Sequence, residues 1–269
     1  MDRILLFIPM YNCEKQIPRV LAQLNSEVCN YLSEVIILNN RSTDNGEQAV
    51  QDYLQTHDLA VTVRLLRNDA NYGLGGSHKV AFQYAMDHGF DYVIVLHGDD
   101  QGDIANILPY LKSGEYRNYD CFLGARFMKG SRLQGYSKFR TFGNIVYNIY
   151  FSILSGMAVY DLGSGLNLYH TQMLKDHFYM KFPDNLMFNC YMLLAAKACR
   201  VKYRFFPISW AETDQVSNVK MMNQAVRTLK IPLCYLFSSR NGFLQTERRD
   251  TPVKSYTAQI IYTKKGLTE

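Results

Sequence analysis

Residues 92–103 read Tyr92-Val-Ile-Val-Leu-His97-Gly-Asp99-Asp100-Gln101-Gly-Asp103. Tyr92–Leu96 is short, apolar throughout and rich in β-branched residues, which predicts a strand buried on both faces. Carboxylates and glycines follow at once. Asp and Gly also build ordinary turns, but acidic groups at the carboxyl end of a buried strand sit where open α/β sheets hold their ligands. Carboxylate oxygens are also the ligands that Mg²⁺ or Mn²⁺ select.

Working outward, strand and helix patterns alternate through the first 125 residues. Strands are expected at Ile4–Pro9, Glu34–Leu38, Val61–Leu66, Tyr92–Leu96 and Cys121–Ala125. Helices are expected at Glu14–Leu24, with Pro18 in the first turn, and at Gly46–Gln55, Gly76–His88 and Ile104–Lys112. Such alternation predicts an α/β fold with a parallel sheet and helices on both faces. After Phe127 the rhythm changes. Residues 128–140 read as a basic loop, and Thr141–Ser155 as an amphipathic helix rich in Tyr, Phe and Ile. Asn185–Ala198 reads as a helix, Val201–Pro207 as a strand, and Lys220–Phe237 as a helix interrupted near Pro232. Residues 245–269 read as a polar, basic and partly mobile tail.

The 269 residues, 48% hydrophobic, are enough for one large core. The net charge of +5 conceals an asymmetry: residues 1–120 carry net −7 and residues 121–269 net +12. The basic half is expected to attract phosphates or acidic lipid headgroups. Nucleic acid is not expected as a partner, because no reading motif accompanies the basic residues and the acidic half would repel it. Six cysteines without a C-x-x-C pair argue against zinc and for reduced core residues. Met1-Asp2-Arg3 runs straight into a strand pattern, unlike a signal peptide. The longest apolar stretch, 145–160, is broken by Asn148, Ser152, Ser155 and Gly156, short of the roughly 20 residues of a span. A cytoplasmic enzyme fits these features.

Four polar, glycine-containing segments fall at predicted strand ends: Pro9-Met-Tyr11-Asn12, Asn39-Asn40-Arg41-Ser42-Thr43-Asp44, Arg67 to Gly76, and His97 to Asp103. The glycines at 73, 75 and 76 match neither a P-loop nor a dinucleotide fingerprint. In this order, and together with Gly124-Ala-Arg126-Phe, the segments resemble the family 2 glycosyltransferases of GT-A fold. Asp161-Leu-Gly-Ser-Gly165-Leu-Asn-Leu-Tyr169 and Pro207-Ile-Ser-Trp210, followed by Ser217-Asn-Val-Lys220, resemble the polyprenyl-phosphate mannose and glucose synthase branch. The resemblance spans roughly residues 4–230.

It implies a Rossmann-like, mostly parallel sheet. One domain would cover 1–240, with a nucleotide-sugar half (1–125) and an acceptor half (126–240), before a basic tail (241–269). The implied reaction is an inverting, divalent-cation-assisted transfer of a sugar from a nucleotide diphosphate. Implied nucleotide contacts are Pro9, Tyr11, Asn12, Asn40, Asn71, Gly75 and Gly98, with Asn40 on the base. Asp99 would bind Mg²⁺ or Mn²⁺, with Gln101 and His97 in support. Asp99, Arg126 and Arg140 would carry catalysis, and Arg126, Lys138, Arg140, Ser164 and Lys220 would face the acceptor. His97 stands where the family usually has the first Asp of D-x-D. Asn39 and Asn40 replace an Asp pair, and Asn167, Tyr191 and Thr213 stand where the branch often carries Arg, Glu and Arg.

Two acceptors remain open. A lipid phosphate is already an anion and needs no base, and Arg126, Lys129, Arg132, Lys138 and Arg140 could hold it. A glycan hydroxyl needs a carboxylate base, with Asp161 and Asp184 the candidates. A non-catalytic nucleotide-sugar binder is the third reading. The basic loop and the 141–160 stretch fit the inner face of an anionic membrane, although that stretch could instead be core or a homodimer interface.

Overall fold

The computed structural model describes residues 2–212, 214, 221–250 and 253–267. In chain order the elements are β1 (Ile4–Met10), α1 (Ile17–Ala22), α2 (Ser26–Cys29), β2 (Glu34–Asn39), α3 (Gly46–Thr56), β3 (Val63–Asn68), α4 (Gly73–Asp87) and β4 (Tyr92–Leu96). There follow α5 (Leu108–Ser113), β5 (Cys121–Ala125), β6 (Arg132–Gln134), α6 (Lys138–Ser155), β7 (Leu166–His170) and α7 (Phe188–Ala198). The chain finishes with β8 (Tyr203–Pro207), β9 (Ser209–Ala211), α8 (Met221–Phe237), α9 (Arg240–Gln245) and β10 (Ala258–Lys264). Lys220, Thr213 and the Ser217–Lys220 motif lie outside the described residues.

Eight strands form one sheet in the order β10-β3-β2-β1-β4-β7-β5-β8. β1, β2, β3 and β4 run parallel, as the alternation predicts. β1 and β4 are buried along their whole length. Side chains alternate between the two faces of each strand. On β1, Leu5 and Phe7 enter a core beneath α4 and α7, with Phe82 and Phe188. Ile4, Leu6 and Ile8 enter the opposite core beneath α1, α3 and α5, with Val20, Val50 and Leu108. The result is three layers, helices over both faces.

Two strands depart from the expectation. β7 is antiparallel to both β4 and β5, so the sheet is mostly parallel rather than wholly so. β10 lies within the segment expected to be a mobile tail, yet it pairs antiparallel with β3 and closes that edge of the sheet. The expected basic loop likewise contains β6, which pairs with β9 in a separate two-stranded sheet, and its end already belongs to α6. Pro232 sits inside α8 without ending it. Among the described residues no helix is long and apolar enough to cross a membrane.

The chain that leads into β10 is tied to the body by a buried cation. The Lys79 side chain has no exposed surface; its Nζ donates to Asp184 Oδ1 at 2.6 Å, to the Phe182 carbonyl at 2.7 Å and to the Tyr256 hydroxyl at 3.2 Å. Burial lowers the Lys79 pKa and the Asp184 charge opposes that shift. The same Asp184 segment roofs the start of α4, where the Gly75 N–H donates to the Asp184 carbonyl at 2.7 Å. A Cβ on Gly75 would overlap the Pro183 carbonyl oxygen. Gly75→Ala should therefore cost about 1–3 kcal/mol by overpacking. Gly143→Ala, within α6 and with nothing inside 4 Å, should gain about 0.5–1 kcal/mol from helix propensity. Urea denaturation of the pair checks the contrast; equal effects would refute it.

Candidate functional site

In the sheet order, β2 lies on one side of β1 and β4 on the other. The chain therefore leaves the carboxyl ends of β1 and β4 in opposite directions and opens a crevice, the switch point at which doubly wound sheets bind ligands. The segments picked out in the sequence meet here, laced together by hydrogen bonds. The Asn12 N–H donates to Ser42 Oγ at 3.0 Å, and Asn12 Oδ1 accepts the Thr43 N–H at 2.8 Å. The Glu14 N–H donates to Asp44 Oδ2 at 2.8 Å. The Gly98 N–H donates to the Pro9 carbonyl at 3.1 Å, and a Cβ on Gly98 would come within 2.8 Å of that oxygen. Only glycine lets β4 leave the sheet so close to β1.

Three non-glycine residues of these loops hold positive φ: Asn12 at 53°, Arg41 at 62° and Asp100 at 59°. Left-handed backbone costs L-residues energy and gathers at binding sites, where surrounding contacts hold it in place. Tyr11 is 43% exposed at the end of β1, accessible to a ligand in the crevice.

Asp99 lies at the end of β4, largely buried. Burial pushes its carboxyl up to about 6, partly opposed by the Gln101 N–H. Asp100 is engaged elsewhere: Oδ2 accepts from Arg19 Nε at 2.5 Å and Oδ1 from Gln23 Nε2 at 3.1 Å. Arg19 also pairs with Asp214 at 2.9 Å. Neither Arg19 nor Gln23 stands out in the sequence. The Gln101 carbonyl accepts the Ala211 N–H at 2.9 Å, and Gly102 bridges to Trp210. The Asp99 loop is thus sewn to β9, and through β6 to the basic loop.

The structure gives several of the expected site residues partners within the protein. Asn40, expected to read a base, is buried and spends its amide on neighbouring loops. Its Oδ1 accepts from Asn68 Nδ2 at 2.9 Å and from the Tyr72 N–H at 2.8 Å, and its Nδ2 donates to Asn71 Oδ1 at 2.8 Å. Asn71 Oδ1 also takes the Gly73 N–H at 3.0 Å, so Asn71 shapes the turn. Gly75, expected to face the nucleotide, gives its N–H to Asp184. Ser164, expected at the acceptor, is 1% exposed and donates its hydroxyl to the Leu166 carbonyl at 3.1 Å. Asn167 and Tyr191 are interior as well. Asn167 Oδ1 accepts the Gly124 N–H at 3.2 Å, and Tyr191 stacks on Phe243 at 5.6 Å.

His97 turns its ring inward. A Cβ on Gly165 would meet His97 Cγ at 2.9 Å and Trp210 at 3.0 Å, and the His78 ring lies 6.3 Å away. Burial pulls the His97 pKa down to about 4, so the ring is neutral at pH 7. His97 Nε2 and Trp210 Nε1 are buried without a hydrogen-bond partner among the described residues. No group of three His, Cys, Asp or Glu able to hold a metal occurs among the described residues. Any cation here would depend on Asp99 and on oxygens that a ligand brings.

After β5, Arg126 forks onto Asp161, Nε to Oδ2 and Nη2 to Oδ1 each at 2.8 Å, with its own N–H on Oδ2 at 2.9 Å. The guanidinium stacks on Trp210 at 5.0 Å and on Phe127 at 5.1 Å. Both groups are nearly buried, so this pair braces the site and its charge is already answered. Arg140 pairs with Glu212 at 2.6 Å and lies over Tyr136 at 4.4 Å. Lys138, the first residue of α6, is exposed. Removing one partner of a buried pair strands the other. Asp161→Asn should therefore cost about 3–5 kcal/mol in urea unfolding, and Arg126→Leu with Asp161→Leu should cost less than the sum of the single changes. Additive losses would contradict the pair's bracing role.

A family model described as glycosyl transferase family 2 matches residues 6–178. An undecaprenyl-phosphate mannosyltransferase of Micrococcus luteus is 25% identical over 173 residues, covering 64% of this chain and 68% of that protein. The crystal structure of M. tuberculosis glucosyl-3-phosphoglycerate synthase with Mn²⁺, uridine diphosphate and phosphoglyceric acid superposes with a TM-score of 0.60 at 12% identity, over 99% of this chain and 90% of that one. S. aureus TarS 1-349 with UDP-GlcNAc gives 0.55 at 14% identity, over 90% and 70%. A crevice at the β1/β4 switch point, a carboxylate at the end of β4 and a family match over more than half the chain make one conclusion: the protein belongs to glycosyl transferase family 2 and is a glycosyltransferase of GT-A fold.

Proposed function

We propose that this glycosyltransferase moves a sugar, with inversion, from a nucleoside diphosphate onto a polyprenyl-phosphate lipid at a membrane face. The observation that carries the reading is Asp99. It is a desolvated carboxylate at the switch point, its pKa raised to about 6. A carboxylate in that state is poorly solvated and gains from a cation. Mg²⁺ and Mn²⁺ sites of nucleotide enzymes use one or two carboxylates plus substrate phosphates, so the donor set fits. Asp99 would hold the cation, with Gln101 fixing its loop, and His97 fills space behind it rather than ligating. Such a cation supplies Lewis-acid stabilisation to a departing diphosphate. Tyr11 offers an accessible ring to the base, and the left-handed Asn12 and Arg41 hold the loops that receive the nucleotide.

The choice of acceptor follows from which groups are engaged. A hydroxyl acceptor needs a base, and the two candidate carboxylates, Asp161 and Asp184, are held by Arg126 and Lys79. An anionic acceptor needs only cations, and Lys129 and Arg132 precede α6 in the chain while Lys138 begins it, with Arg140 able to exchange Glu212 for a phosphate. The mannosyltransferase relative acts, by its name, with undecaprenyl phosphate, which supports the same acceptor class.

The test is a donor screen of uridine and guanosine diphosphate sugars with Mn²⁺, read as transfer to a short-chain polyprenyl phosphate. Asp99→Ala should lower transfer at least about a hundredfold, the scale at which an electrostatic contribution to catalysis is lost; His97→Ala should be milder. Lys129→Ala with Arg132→Ala should raise the acceptor KM with little change in donor hydrolysis. Transfer to a glycan hydroxyl but to no lipid phosphate would overturn the acceptor reading.

Asp99 also carries a stability cost. Between pH of about 4 and 6 the folded form holds the Asp99 proton more tightly than the unfolded chain does, so stability falls as pH rises through that window. Asp99→Asn should therefore raise the melting temperature by a few degrees at pH 7.5 while abolishing transfer, and the gain should vanish near pH 4. A variant no more stable than wild type at pH 7.5 would contradict the desolvation of Asp99.

A further inference from the structure

A cleft of about 790 Å³ opens where the ends of α6, α7 and α8 meet the start of α9. Its charged lining is wholly cationic, Lys197, Arg200 and Arg240, with no Asp or Glu. Lys197 Nζ donates to the Gly156 carbonyl at 3.0 Å and Arg240 lies against the Cys199 thiol. Neither contact neutralises the charge. Two exposed apolar ridges lead into the cleft. On α6, Phe139, Phe142, Ile149 and Ile153 follow one another at intervals that keep one helical face, and on α8 Leu233, Leu236 and Phe237 do the same. The Tyr150 hydroxyl donates to the Leu229 carbonyl at 3.0 Å, which holds the two helices side by side. Ile153 (74% exposed) and Leu236 (50%) both line the cleft, so the ridges join at its rim.

An apolar ridge of this length in water marks an interaction surface. Its charge says which kind. Residues 128–160 and 221–245 hold four and three Lys or Arg and no Asp or Glu. A second copy seated on the same face would bring two cationic surfaces together, since a two-fold interface pairs a patch with itself. An anionic bilayer answers both features, taking the aromatic and aliphatic side chains into its acyl boundary and the cations into its headgroup layer. We propose that the α6–α8 face docks on an anionic membrane and that the cleft seats a lipid headgroup phosphate between Lys197, Arg200 and Arg240. The proposal extends the lipid-acceptor reading, on which it rests for its purpose. The cleft and the acceptor loop lie at opposite ends of the 18-residue α6, about 27 Å apart at ~1.5 Å per residue, so docking and transfer can be measured separately.

Vesicle flotation of the full chain tests it, with phosphatidylcholine alone and with added phosphatidylglycerol. Wild type should float with the anionic vesicles only. Lys197→Glu, Arg200→Glu and Arg240→Glu together should weaken that binding at least about tenfold, each cation near an anionic surface being worth about a kilocalorie. Phe142→Ser with Phe237→Ser should weaken it as well. All five positions are exposed, so melting temperatures and donor hydrolysis should match wild type. Equal flotation with both vesicle types, no flotation, or a charge-reversed protein that floats like wild type would overturn the proposal. So would a stable dimer in light scattering that Phe142→Ser with Phe237→Ser dissolves, since it would assign the face to a second copy. Anionic-selective flotation beside transfer to a soluble glycan would support docking and retire the lipid acceptor.

Discussion

The site depends on one topological constraint: the chain leaves β1 and β4, which are neighbours in the sheet, toward opposite sides. Two adjacent parallel strands whose connections diverge cannot cover the space between their carboxyl ends, and the crevice that results is lined by whatever the sequence places just past each strand. Here those residues are Tyr11 and Asn12 on one side and Gly98 and Asp99 on the other. Gly98 lets the two strand ends approach without a side chain between them. The flanking loops are then held by hydrogen bonds to one another rather than by packing, and left-handed residues appear in three of them.

That constraint also explains why Asp99 is costly. A strand buried on both faces delivers its first polar residues into a poorly hydrated place, and the carboxyl there is pushed toward neutrality. Around it the molecule spends its other charges on bracing. Arg126 is locked to Asp161, Arg19 to Asp100, Lys79 to Asp184 and Arg140 to Glu212. Trp210 lies between the Arg126 guanidinium and the Asp99 loop, so the two halves of the chain share one wall. Against this background of paired charges, the cations of the basic loop and of the α6–α8 cleft that have no carboxylate partner among the described residues are where an anion can gain most.

Much of this was legible in the sequence because it follows from local patterns. The buried run Tyr92–Leu96 and the polar segments after each strand are short-range signals, and the segments they mark meet at the carboxyl ends of β1 and β4. β7 was not legible. Leu166–His170 is five residues in a helix-rich half, and it becomes a strand only because β4 and β5 leave a gap for it. β10 escaped notice because an edge strand covers one side only and can remain polar on the other. Side-chain direction was the other blind spot. Nothing near Asn40 in the sequence says that its amide turns to Asn68 and Asn71, and the Arg126–Asp161 pair joins residues 35 positions apart.

The central claim is that the crevice between β1 and β4 holds a nucleoside diphosphate whose charge is met at Asp99. A crystal soaked with Mn²⁺ and a nucleoside diphosphate tests it most directly. The account predicts a diphosphate between the ends of β1 and β4, a cation coordinated by the Asp99 carboxylate and a base beside Tyr11. A nucleotide bound elsewhere on the molecule, or in the crevice with its cation away from Asp99, would contradict it.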